Sequence, residues 1–170
     1  MKSVFEIEEN RTEIEVKEEL DHLEMQVFRM QHNIKEIAKE AEVISIDQTK
    51  HDHWVVVYSD KKEDTFQLML HDCRHTYRGS WHSALQAEYK GSNTLHIAAI
   101  KGEEDKGYGS ILMHHLKEKA RQENIQYITG DLVKRDYDHV DRLMYFYEKH
   151  SFDVTVDHDE KCGEIVWNDW

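Results

Sequence analysis

The chain has no proline, seven glycines and two cysteines in 170 residues, and its 22 basic side chains face 35 acidic ones. Each shortage excludes something. Cys73 and Cys162 lie far apart and neither has a C-x-x-C partner, so free or buried thiols in a reducing compartment are expected instead of a disulfide framework. The 13 histidines scatter as "HDH" and "HH", with no spacing that pairs them with cysteine, and no metal site is expected. No apolar run approaches the roughly 18 residues needed to span a bilayer. The opening "MKSVFEIEEN" lacks the apolar stretch of a secretory signal, so the expected compartment is the cytoplasm. A formal charge of −13 repels nucleic acid and anionic membranes, and it attracts cationic ligands. Histidine protonation near roughly pH 6 would weaken that repulsion.

What is present is 39% hydrophobic and 34% charged, enough for one soluble domain with a sizeable core over residues 1–170. No repeat, low-complexity tract or Gly/Ser linker marks a boundary. "VFEIEEN" alternates apolar and acidic residues as a short edge strand would. After it, Leu20, Leu23, Val27, Met30, Ile34, Ile37 and Ala41 recur at steps of three and four, and neither glycine nor proline interrupts from Thr12 to Val43. Residues 1–50 therefore read as a helical N-terminal part, and 51–170 as the sheet-bearing core. The stripe has two possible destinations: one face of the chain's own sheet, or a coiled-coil-like seam with a second copy, making a homodimer.

"HWVVVYS", "TFQLMLHD", "SALQAEY" and "TLHIAAI" read as an antiparallel meander, with Gly91 and Asn93 in the last hairpin. The remainder reads helix, strand, helix, strand, strand, from "GSILMHHLKEKARQEN" to "EIVWND". This predicts an α/β (α+β) sandwich, a mixed, mainly antiparallel sheet with helices on both faces, preceded by a long helix.

Two of the few glycines stand in "KGYGS", Lys106 to Ser110, between a predicted strand and a predicted helix. A helix start leaves backbone N–H groups unpaired at a positive dipole end, and glycine lets an anion approach them. The alternative is a plain connection. Neither the Walker phosphate motif nor G-x-G-x-x-G is present, since position 112 is Leu.

Together with "YFYEKHSF", Tyr145 to Phe152, this loop resembles the GNAT superfamily of acyl-CoA-dependent N-acyltransferases. That family's strand–[QR]-x-x-G-x-[GA]–helix motif is matched at Gly107 and Gly109. Its F-Y-x-K-x-G-F motif is matched at Phe146, Tyr147, Lys149 and Phe152. The chain departs from the pattern at Glu104, Ser151, Val140 and Leu143. The resemblance implies acetyl-CoA as co-substrate, with its pantetheine arm along Ala98, Ala99 and Ile100. Its pyrophosphate would lie on the amides of Asp105, Lys106, Gly107, Tyr108, Gly109 and Ser110, beside Lys149. It further implies Tyr147 as the acid that protonates the leaving thiolate. The family's usual carboxylate base is missing from "TLHIAAI", which leaves His96 and Glu88 as candidates; His71, Asp72 and Asp131 stand at other strand ends. The implied activity is N-acetylation of a primary amine on a small molecule or protein, with cationic acceptors favoured by the chain's charge. A non-catalytic module binding CoA or a partner through the same cleft is the alternative.

Overall fold

Thr12 caps the first helix: its hydroxyl accepts from the Glu15 N–H, and the Glu15 carboxylate accepts from the Thr12 N–H, a reciprocal capping box. The computed structural model describes residues 12–169, so the predicted strand "VFEIEEN" lies outside the described residues. The helix, α1 (Glu13–Ile37), is followed by β1 (Glu42–Gln48), β2 (Trp54–Lys62), β3 (Thr65–Asp72), β4 (Ser83–Lys90) and β5 (Thr94–Gly102). Next come α2 (Tyr108–Gln122), β6 (Tyr127–Leu132), a 3-10 turn (Lys134–His139), α3 (Val140–Lys149), β7 (Asp153–Asp157) and β8 (Cys162–Asn168). The strands form one eight-stranded sheet in the order β1-β2-β3-β4-β5-β6-β8-β7. Every pairing is antiparallel except β5 with β6. The expected mixed sheet with helices on both faces is what forms. Among the described residues no helix is long and apolar enough to cross a membrane.

Two expectations about the N-terminal part are corrected. The helix stops at Ile37 instead of running on to Val43, and residues 42–48 form a strand. "EVISIDQ" alternates half-buried and exposed positions along β2, a period of two that overrides the last beat of the helical stripe at Ala41. The stripe itself packs on the sheet only at its C-terminal end. Met30, Ile34, Ile37 and Ala41 join Val56, Tyr58, Met69, Cys73 and Ala84. Buried Asn33 donates to the His75 carbonyl and accepts from the Tyr77 N–H, fixing that end of α1 to the loop after β3. The helix is about 37 Å long, and residues 12–25 are all exposed.

The larger core fills the opposite face. Val55, Val57, Phe66, Leu68, Leu85, Leu95 and Ile97 point from alternate strand positions onto Leu112, Met113, Leu116 and Ala120 of α2. Tyr147 of α3 and Phe152 close the same layer.

Candidate functional site

The parallel ladder between β5 and β6 is short. Thr94 to Ile97 pair with Tyr127 to Gly130, and there it stops. Beyond that point β5 continues only with β4, and β6 only with β8 through Asp131 and Leu132. Each strand keeps one neighbour, and a cleft opens between them. Ala98 is the extra residue of a bulge, lying between the pairs Ile97↔Ala87 and Ala99↔Gln86. The bulge resets the alternation, so Ile97 and Ile100 both face the α2 side. The β5 edge from Ala98 to Ile100 presents backbone groups to the cleft with no ladder partner there.

The glycine loop stands at the mouth of this cleft. Gly102, Asp105 and Gly107 have φ of 136°, 60° and 79°. Gly107 is the N-cap of α2 and provides no side-chain cap, so the first N–H groups of the helix are left for another acceptor. Nearest above Gly107 is the aliphatic stem of Lys50, 3.6 Å from where a Cβ would sit. Gly109 is different. A Cβ there would stand 3.3 Å from the Phe146 ring, so its smallness serves packing between α2 and α3. Glu104 turns to Arg142 at 2.7 Å, and Ser110 Oγ meets His150 Nε2 at 3.0 Å.

Beneath the loop, the Tyr108 side chain enters the core and its hydroxyl donates to Asp72 Oδ2 at 2.5 Å. Arg74 closes on the same carboxylate with Nε and Nη2. Burial alone would push the Asp72 carboxyl up, but bonds from Arg74 and Tyr108 outweigh it and hold it well below the usual carboxylate range. Asp72 is thus consumed in anchoring α2. His71, next to it and buried, packs its ring against Tyr77 and His82. Neither belongs to the cavity that gathers the other base candidates.

That cavity, about 500 Å³, is lined by Glu88, His96, Ala98, Asp131, Arg135 and Asp136, among others. Glu88 and His96 sit directly opposite each other in the β4–β5 ladder. Glu88 pairs with Lys90 at 2.8 Å. His96 places Nδ1 2.8 Å from Thr129 Oγ1 and Nε2 3.3 Å from Asp131 Oδ2. Tyr147 is 7% exposed, with its ring edge-on to Phe146 and Phe152. No protein group among the described residues hydrogen-bonds its hydroxyl. Burial, and then the charge of Asp136, push that phenol up to about 12. Asp136 also lines the cavity. Lys149 is exposed, and its charge acts on His150.

Sequence reasoning missed Lys50, Arg135 and Asp136. They come from the β1–β2 turn and the 3-10 turn, and only the folded chain carries them to the loop and the cavity.

No family model matches the chain. It is 50% identical over 162 residues to "Uncharacterized protein YocC" of Bacillus subtilis (strain 168), covering 95% of this chain and 96% of that protein. Among solved structures it is similar to the GNAT domain of S. lividans PAT, with a TM-score of 0.58 and 8% identity over 73% of this chain and 96% of that one. It is also similar to a mutant cAMP-binding acyltransferase from Mycobacterium smegmatis, with a TM-score of 0.56 and 12% identity over 82% of this chain and 51% of that one. At such identities the likeness is one of fold.

Proposed function

The chain belongs to the family of Bacillus subtilis YocC and has the GNAT fold, and we propose that it is a cytoplasmic acetyl-CoA-dependent N-acetyltransferase. The observation that carries this reading is the cleft. A bulged strand edge free of ladder bonds and an uncapped helix start at its mouth occur together.

Ala98, Ala99 and Ile100 pair with the amides of the pantetheine arm as a missing strand would. The amides from Asp105 to Ser110 hold the pyrophosphate, with Lys50, Lys106 and Lys149 as the nearby cations. Glu88 or His96 takes a proton from the acceptor amine, directly or through water; Thr129 and Asp131 orient the imidazole. The nitrogen then bonds to the acetyl carbon as the carbon–sulfur bond breaks, and the Tyr147 hydroxyl protonates the departing thiolate. Glu88, Asp131 and Asp136 outnumber Lys90 and Arg135 around the cavity, which suits an acceptor that carries positive charge beside its reacting amine.

Acetyl-CoA at a hundredfold excess over its Kd should add about 2.7 kcal/mol of stability, read as a rise in melting temperature, and should be turned over with members of an amine panel. A shift without turnover favours a non-catalytic binding module. An unchanged melting temperature in saturating acetyl-CoA and CoA removes the reading altogether.

A further inference from the structure

The first half of α1 carries an apolar seam that the rest of the described chain leaves open. Val16, Leu20, Leu23, Val27, Met30, Ile34 and Ile37 alternate steps of four and three. These are the a and d positions of a heptad, a repeat of about 3.5 residues suited to a facing helix. A helix lying only on a sheet needs a broader stripe of period 3.6. The sheet accepts Met30, Ile34 and Ile37. Val16, Leu20, Leu23 and Val27 remain 43%, 56%, 47% and 47% exposed, four successive layers that the other described residues leave open. On the same sheet face, Ile46 and Trp54 also stay exposed beside the β1 edge.

We propose that this seam docks on the same seam of a second copy, with the two helices antiparallel. Leu20 then layers with the partner's Leu23, and Val16 with the partner's Val27. The flanking charges choose the direction. Lys17 and Glu24 line one flank of the seam, Glu19 and Gln26 the other. In a parallel pair in register, Glu19 would face the partner's Glu24 twice over. In the antiparallel pair Lys17 faces the partner's Glu24 twice over, and Glu19 faces the uncharged Gln26 of the partner. Two attractions replace two repulsions. Among the described residues neither Lys17 nor Glu24 has an ion pair within its own chain, so both are available across the interface. This inference stands apart from the acetyltransferase reading and survives its failure.

Sedimentation equilibrium of the full chain tests it. The wild type should be a dimer at micromolar concentration. Leu20→Asp combined with Leu23→Asp should give a monomer with unchanged helical circular dichroism, because both side chains are exposed within the protomer. Lys17→Glu should weaken the dimer roughly tenfold, and adding Glu24→Lys should recover the wild-type constant to within about threefold. The proposal is overturned by a wild-type monomer at 100 micromolar, or by a dimer that withstands the double aspartate variant. Indifference of the dimer to Lys17→Glu, or failure of the charge swap to rescue it, equally removes the antiparallel arrangement.

Discussion

The start of α2 and the end of α3 each turn a tyrosine into the same core, and the two hydroxyls are treated in opposite ways. Tyr108 is 1% exposed, and its hydroxyl is held at 2.5 Å by a carboxylate that Arg74 also grips. Tyr147 is 7% exposed, among aromatic rings, with its hydroxyl unpaired among the described residues. A satisfied hydroxyl anchors a helix. The Tyr147 hydroxyl, which no described residue pairs, is left to water or a ligand. In the sequence Tyr108 stands between two glycines and Tyr147 follows Phe146, but only the folded chain shows that one hydroxyl is bonded to a carboxylate and the other is not.

The comparison can be broken most directly at Tyr147. Tyr147→Phe should lower kcat by roughly ten- to a thousandfold while stability changes by less than about 0.5 kcal/mol. A variant that turns over normally but melts early would make Tyr147 the anchor and remove its acid role. At the other end, Arg74→Met strips the buried Asp72 carboxylate of its cation and should cost about 3 kcal/mol in denaturant unfolding. Tyr108→Phe leaves that pair intact and should cost about 1–2 kcal/mol; a neutral result would show that the bond does not anchor α2.

Gly107 and Gly109 sharpen the contrast on a smaller scale. Gly107→Ala has room but must adopt a φ of 79°, and should lose about 1 kcal/mol without disturbing α3. Gly109→Ala meets the Phe146 ring and should alter the near-ultraviolet circular dichroism of the α3 aromatics. If both variants behave alike, the two glycines share one role.

The smallest expected effect is on pH dependence. Burial, followed by Lys117 and Lys149, pushes the His150 imidazole down to about 4. An unfolded histidine titrates near roughly 6.5, so the unfolded chain takes up a proton first as pH falls. Stability contributed by the neutral ring is therefore full above about pH 6.5 and declines toward pH 4. His150→Gln should flatten the melting temperature over that window. Part of the slope will remain, because burial also lowers His71 and His82. Identical slopes for wild type and variant would show that His150 is not held neutral.

The antiparallel meander, the glycine loop and the two-helix tail were legible because their signals are local: alternation, a Gly–Asn hairpin, a G-x-G before an apolar stripe. β1 was not, because "EVISIDQ" follows a helical stripe whose last beat at Ala41 fits the same spacing, and only pairing with β2 decides between them. Glu88, His96 and Asp131 could be named as base candidates from the chain, yet nothing in their spacing says that they share a cavity with Asp136.

By itself, then, the sequence determined which segments are helix and strand across most of the chain, and where a backbone anion site could form. It also determined that α1 carries a heptad seam, because periodicity, glycine placement and helix starts are properties of neighbouring residues. The tertiary structure decided the rest. It stopped the β5–β6 ladder at Ile97 and placed the Ala98 bulge at the opening. It spent Asp72 on Tyr108, and among the described residues it left the Tyr147 hydroxyl without a partner and covered only the last beats of the α1 seam. Those outcomes depend on register and crossing between segments distant in the chain, and a hydroxyl, a strand edge or an apolar stripe has a function only once its neighbours have, or have not, claimed it.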